Sequence, residues 1–358
     1  MLQFPGYNKD TPGGTGADLE ALKASALPIV LYGDGWYAPY VREFLARNGL
    51  KAAASFVDDG CAYSEGTVGF EEIRRRFEKF NIVVAFANFG MAREKLGRKD
   101  GSQVAGVYSF DVIGTLLGYR LDRAWLERNR ERLAMAYGLL ADGLSRETWA
   151  AFVNAKLGGG TEGLNAVKRK DQYFPEGIIK LGDSEVFVDG GAYTGDTLQT
   201  FIRKTEGRYA GCRAFEPEPA AAAKLGEMAA RRGFPNVRIF NKGLWSKAGA
   251  MRFTASEGMS SSAISETGAA RVEVTAIDEA APDATFIKLD VEGAELEALK
   301  GATATIRRNR PKLAVCVYHK PEDLFEIPLF IKELAPEYRF YLRQHQPVTC
   351  ELVLYAVL

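Results

Sequence analysis

Short apolar runs alternate with stretches in which apolar residues return every three or four positions, and this alternation organises the chain from Pro28 onward. IVLYG reads as a buried strand, VREFLARNG as a helix closed by glycine, and AASFVDD as a second strand. After the helical FEEIRRRFEKF comes NIVVAFAN, a third strand. The order β-α-β-α-β predicts a small parallel sheet covered by helices.

Residues 121–157 lose the strand pattern and read as two helical stretches. Trp149, Phe152, Val153, Lys156 and Leu157 recur at helical spacing, with Ser145 available as a cap and Gly158-Gly159-Gly160 as a stop. Farther on, EVFVD, CRAFE, NVRIFN, TFIKLD and KLAVCVY are strand candidates. They are separated by helical stretches or, after NVRIFN, by a Ser/Gly-rich insert, and YRFYLRQ with ELVLYAVL forms a terminal antiparallel pair. The expected fold class is α/β: a doubly wound sheet with an antiparallel C-terminal hairpin, preceded by a smaller Rossmann-like domain and a helical connector. The expected boundaries are 1–26 for a turn-rich extension, 27–112 for the Rossmann-like domain, 113–175 for the connector and 176–358 for the larger domain.

Composition narrows the partners. The 358 residues carry 46 basic and 46 acidic side chains, so bulk charge draws no polyanion and nucleic acid is not an expected partner. No apolar run reaches the roughly 18 to 20 residues of a membrane helix, and MLQFPGYNKD lacks a signal-peptide layout, so a cytoplasmic location is expected. Cys61, Cys212, Cys316 and Cys350 are too dispersed for a zinc knuckle and read as reduced, mostly buried thiols.

The chemistry concentrates in VFVDGGAYTGDT, residues 186–197. A nucleoside triphosphate is disfavoured, because Asp196 stands where a phosphate loop needs lysine. Like charges about 4 Å apart cost on the order of 4 kcal/mol at an effective dielectric near 20. A dinucleotide fits weakly, since Ala192 occupies a close-approach position. S-adenosylmethionine, which carries no phosphate, suits an acid at the strand end, glycines beside the methionine and helix N–H groups for its carboxylate. Asp189, Gly191 and Gly195 fit these roles, and Glu216, at the end of CRAFE, is placed to accept both ribose hydroxyls.

VFVDGGAYTGDT, AFEPEP, NVRIFNKGLWS, VEVTAIDE, FIKLDVEGAELEALKGA and RPKLAVCVYHKPEDLFEIP together resemble the successive blocks of FkbM-type S-adenosylmethionine-dependent methyltransferases, from about Tyr173 onward. The resemblance implies a class I methyltransferase fold and O-methylation, commonly of a sugar or natural product. It also implies cofactor positions at Asp189, Gly190, Gly191, Ala192, Thr194, Gly195, Glu216, Asn241, Gly243, Leu244 and Asp290. Two departures stand out: Gly190-Gly191-Ala192 where many members have Gly-Ala-Asn, and CVYHK where many end the strand in glutamate.

Parallel sheets place ligands at the carboxyl ends of their strands, where Asp290, Glu292 and His319 lie. Asp290 either orients the acceptor hydroxyl or caps the following helix. Glu292 is equally a catalytic carboxylate or a dipole partner, and Glu295 reads as the latter. His319 is expected to act as a neutral imidazole base, His345 to lie at the surface, and no metal is expected. Residues 255–268 read as a mobile loop or an insertion.

The earlier turn, GDGWYA at 33–38, supplies two glycines of a dinucleotide pattern, with Asp58-Asp59 after the next strand. Asp34, Trp36 and Tyr37 crowd it. It therefore leaves open an NAD-dependent oxidoreductase, a nucleotide-sugar-binding domain, self-association into a homo-oligomer, or a purely structural role. The leading expectation is an O-methyltransferase for a small-molecule or glycan acceptor.

Overall fold

The computed structural model describes residues 17–35, 37–58, 61, 66–86, 89–97, 99, 101–110, 112, 121, 123–157, 161–254, 263–264 and 270–358. The expectations for residues 1–16, Trp36, Asp59, Gly158-Gly159-Gly160 and nearly all of 255–268 lie outside them. Two compact units emerge. The first takes its described residues from Met1–Arg130, Gly143–Arg169 and Gln344–Glu351, the second from Glu131–Asp142, Lys170–Arg343 and Leu352–Leu358.

In the first unit, β1 (Ile29–Tyr32), β2 (Ala52–Val57), β3 (Thr67–Gly69), β4 (Phe80–Val84) and β5 (Val104–Tyr108) form a parallel sheet of order β3-β2-β1-β4-β5. Every residue of β1 and β4 is buried, as central parallel strands covered on both faces require. The helix Ala38–Arg47 starts with a proline in its first turn and buries Val41, Phe44 and Leu45 on one face of that sheet.

The expected helical connector is divided between the units. Gly143–Lys156 buries Trp149, Phe152 and Val153, three of the five residues that the spacing singles out, with Lys156 only half-buried; it belongs with the first unit, whereas Glu131–Asp142 belongs with the second. His345, expected at the surface, is buried. Its backbone N–H donates to Glu351 O, and its Nδ1 lies 3.0 Å from Arg169 O.

The second unit holds β6 (Val186–Gly190), β7 (Gly211–Phe215), β8 (Val237–Phe240), β9 (Gly243–Leu244), β10 (Gly249–Thr254), β11 (Ala263–Ile264), β12 (Ala270–Thr275), β13 (Phe286–Leu289), β14 (Lys312–Cys316), β15 (Arg339–Gln344) and β16 (Leu352–Val357). Seven of them make the main sheet, β15-β16-β14-β13-β6-β7-β8, with β16 antiparallel to β14. Phe187 stacks on Phe201 at 4.5 Å and meets Phe286 at 5.0 Å. Burying one such ring contributes about 1.5 to 3 kcal/mol.

The stretch after β8 is more than an insert. It forms a four-stranded sheet, β11-β10-β12-β9, because Val272 and Val274 alternate inward against exposed Arg271 and Glu273. In the main sheet the chain runs from β6 outward to β7 and β8, then returns to β13 and β14 on the other side. The strand order therefore reverses between β6 and β13, which sets the carboxyl ends of these two strands as the ligand crevice of the fold.

Candidate functional site

At that crevice Asp189 pairs in register with Lys288, and Gly190 with Leu289. Lys288 Nζ lies 3.1 Å from Asp189 Oδ1 and donates to Gly190 O at 2.9 Å and Gly191 O at 2.8 Å. Both side chains are buried. Burial opposes the Lys288 ammonium, but Asp189 and Asp290 outweigh it and hold the lysine pKa up. Burial pushes the Asp189 pKa up, with Lys288 opposing. Neither Asp189 oxygen completes an aligned hydrogen bond.

The glycines of the turn make room for the protein itself. A Cβ on Gly191, at φ +72°, would lie 1.8 Å from Asp290 O; on Gly195, at φ +93°, 2.3 Å from Met228 Cε; and on Gly190, 2.8 Å from Leu244 Cδ1. They allow close packing of β6 against β13, the helix Pro219–Arg232 and β9.

The N–H groups of Gly191 and Ala192 both donate to Phe215 O at 3.0 Å. Thr194 is half-buried, and the helix Asp196–Lys204 begins without a side-chain cap. Its first N–H groups are of the kind that bind anions. Glu216, buried at the end of β7, accepts Tyr193 N–H on Oε2 at 2.8 Å and Glu218 N–H on Oε1 at 2.9 Å. Burial raises its pKa, with those two N–H groups opposing. Each oxygen keeps acceptor capacity. Asn241 donates to Glu216 O and Pro217 O, fixing the loop after β7, and Gly243 and Leu244 form β9 beneath the turn.

Asp290 follows β13 and is fastened from three sides: Tyr173 Oη donates at 2.7 Å, Tyr318 Oη at 3.4 Å, and His319 Nε2 lies 3.6 Å away. Burial works against its charge, but Lys288 and His319 win and its pKa falls. His319, after β14, is 3% exposed. Glu292 Oε2 lies 3.3 Å from Nε2, and Glu295 Oε1 lies 2.9 Å from Nδ1. Glu295, expected to be a helix-dipole partner, is fully buried and also accepts Val291 N–H at 2.8 Å. Burial disfavours a charged imidazole here, yet Glu295, Glu292 and Asp290 together raise its pKa well above the ordinary value.

Asp323 completes the surroundings. Burial and the Glu295 charge push its pKa up to about 8, while Lys320 N–H donates to Oδ2. The sequence reading missed Tyr173, Lys288, Glu295 and Tyr318. Two signals were present: Lys288 inside an otherwise apolar strand run, and Tyr318 beside the end of β14.

At the first turn, Asp58 is already engaged. Tyr32 Oη donates to both its oxygens at 2.8 and 2.9 Å, and Lys95 donates at 2.6 Å. Asp34 pairs with Arg42 and accepts from Thr67. The acid that a dinucleotide ribose would need is thus held by its own neighbours. Among the described residues no helix is long and apolar enough to cross a membrane.

No curated protein matches the chain. Among solved structures, methyltransferase FkbM from Methylobacillus flagellatus KT is similar at 24% identity and TM-score 0.76, over 97% of this chain and 95% of that one. An rRNA methylase from Streptococcus thermophilus matches at 14% identity and TM-score 0.33, over 50% and 89%. Fibrillarin from Aeropyrum pernix, with S-adenosyl-L-methionine natively bound, matches at 11% and 0.29, over 51% and 71%. The first of these carries the fold over nearly the whole length. Residues 189–346, which span the crevice from Asp189 to His319, match the methyltransferase FkbM domain.

Proposed function

We propose that the protein is an S-adenosylmethionine-dependent O-methyltransferase acting on a sugar or other polyhydroxyl acceptor. The observation that carries this is the placement of one buried carboxylate, Glu216, at the end of β7, and a carboxylate–imidazole cluster, Asp290, Glu292 and His319, at the ends of β13 and β14. The residues present suit the cofactor. Glu216 has spare acceptor capacity for two hydroxyls, the uncapped helix Asp196–Lys204 suits a carboxylate, and Asp189 retains unaligned acceptors in a crevice rich in negative charge. When bound, the cofactor supplies a methyl group activated by its sulfonium.

The chain's own residues then align and deprotonate. Asp290, fixed by Tyr173 and Tyr318, orients the acceptor hydroxyl, and the cluster takes its proton through Glu292 or His319. Glu295 holds the imidazole from Nδ1. Incubation with methyl-labelled cofactor and fractionated hydroxyl-bearing acceptors, followed by mass spectrometry, tests the reading. Label is expected on an acceptor oxygen, and His319→Ala is expected to lower transfer while S-adenosylhomocysteine affinity stays within about twofold. Label on nitrogen or carbon, or unchanged turnover in the variant, overturns it.

A further inference from the structure

Asp290 after β13, Glu295 at the start of the helix Glu295–Lys300 and His319 after β14 converge so that one donor atom from each lies within 4.8 Å of the others. Buried imidazoles and carboxylates are ordinarily hydrogen-bonded. Here, with His319 3% and Glu295 0% exposed, neither ring nitrogen and not Oε2 of Glu295 completes a hydrogen bond. Carboxylate oxygens nevertheless crowd the ring at 2.9, 3.3 and 3.6 Å. Ligands placed about 2.1 Å from one cation stand roughly 3 to 4 Å apart; Asp290 Oδ1 stands 3.6 Å from Nε2, whereas Glu295 Oε1 stands 2.9 Å from Nδ1 and leaves its Oε2 without a hydrogen-bond partner.

We propose that Asp290, Glu295 and His319 hold a divalent cation of the Mn²⁺ or Mg²⁺ kind at the acceptor end of the crevice. Two carboxylates supply the hard oxygen ligands these ions prefer, and the imidazole favours Mn²⁺ over Ca²⁺. Glu292, at φ +53° and with its side chain 28% exposed, stands on the open side beside His319 and is left to receive a proton. The role of the cation rests on the methyl-transfer reading: it binds the acceptor oxygen and lowers its pKa. The hydroxyl proton passes to Glu292, and the oxygen bonds to the methyl carbon as the carbon–sulfur bond breaks, releasing S-adenosylhomocysteine. Binding of the cation itself does not depend on that reading.

The experiment is a titration of chelator-stripped protein with MnCl₂, followed by electron paramagnetic resonance, with S-adenosylhomocysteine affinity measured on the same samples by calorimetry. One saturable Mn²⁺ per chain is expected, displaced by MgCl₂. His319→Gln and Asp290→Asn are each expected to weaken it at least tenfold. Retained thermal unfolding of each variant shows that it is folded, and Glu295→Gln, expected to show the same loss, provides a third arm. Absent Mn²⁺ binding in the wild-type protein, or affinity unchanged in the folded variants, overturns the site. Loss of S-adenosylhomocysteine binding alone would instead sink the methyl-transfer reading and leave the cation site standing.

Discussion

Lys288 Nζ reaches Asp189 Oδ1 across 3.1 Å while also holding the carbonyls of Gly190 and Gly191, so one buried ammonium ties the ends of β6 and β13 together. Breaking such a pair from one side strands a buried charge, at a cost of about 3 to 5 kcal/mol. Lys288→Met is therefore expected to lower stability by that amount in chemical denaturation, and Lys288→Met with Asp189→Asn to recover part of it. A single variant within about 1 kcal/mol of wild type would show that the pair does not anchor the strands.

The turn glycines differ in what they tolerate. Gly191→Ala drives a methyl group into backbone, 1.8 Å from Asp290 O, and neither side can yield. Loss of about 4 kcal/mol or of soluble protein is expected. Gly177, at φ +81° with open space around its Cβ position, serves as the control: Gly177→Ala carries only the left-handed strain, about 1 to 2 kcal/mol. Equal unfolding midpoints for the two variants would contradict the packing argument.

Glu216 has a pKa raised by burial, and under the proposed function its ionised form is the one that would accept the cofactor hydroxyls. Protonation therefore competes with binding: affinity for S-adenosylhomocysteine is expected to be full above the raised pKa and to fall as pH drops through it, at a pH above the ordinary glutamate value of 4.5. Calorimetry across pH checks this. Glu216→Gln should bind at least tenfold more weakly at neutral pH and lose that acidic limb; a variant that keeps both affinity and limb removes Glu216 from the ribose.

In the first unit, Asp58 belongs to a local network with Tyr32, Lys95 and Lys99. Burial acts against its charge, but Lys95 and Tyr32 lower its pKa. Titration calorimetry is expected to show no NAD binding, and Asp58→Asn to cost about 1 to 2 kcal/mol of stability while leaving methyl transfer unchanged. Micromolar NAD binding abolished by Asp58→Asn would restore the dinucleotide reading.

What could be read in advance follows from the range of each interaction. Strand runs such as EVFVD and TFIKLD were legible because apolar periodicity is local, and so was the acid ending each strand. β3 and β5 were not, since Thr67–Gly69 is three residues long and Val104–Tyr108 alternates only partly inward. Tyr173 meets Asp290 across 117 positions, and Glu295 meets His319 across the gap between two strands; no spacing rule links them. Glu295 in particular matched a local signal, the acidic first turn of a helix, that its burial then overrode. The glycines were recognised, but their cause, close packing on β13 and on Met228, needed three dimensions.

β16 lies between β15 and β14, inside the main sheet, although it comes last in sequence order. Assembly of that sheet consequently waits for residues 352–357, however early the β6 half is synthesised. Truncation before Leu352 would leave β14 with a bare edge and its apolar neighbours exposed, an invitation to aggregation rather than a trimmed enzyme. A fusion partner that restrains this segment should impede assembly of the main sheet.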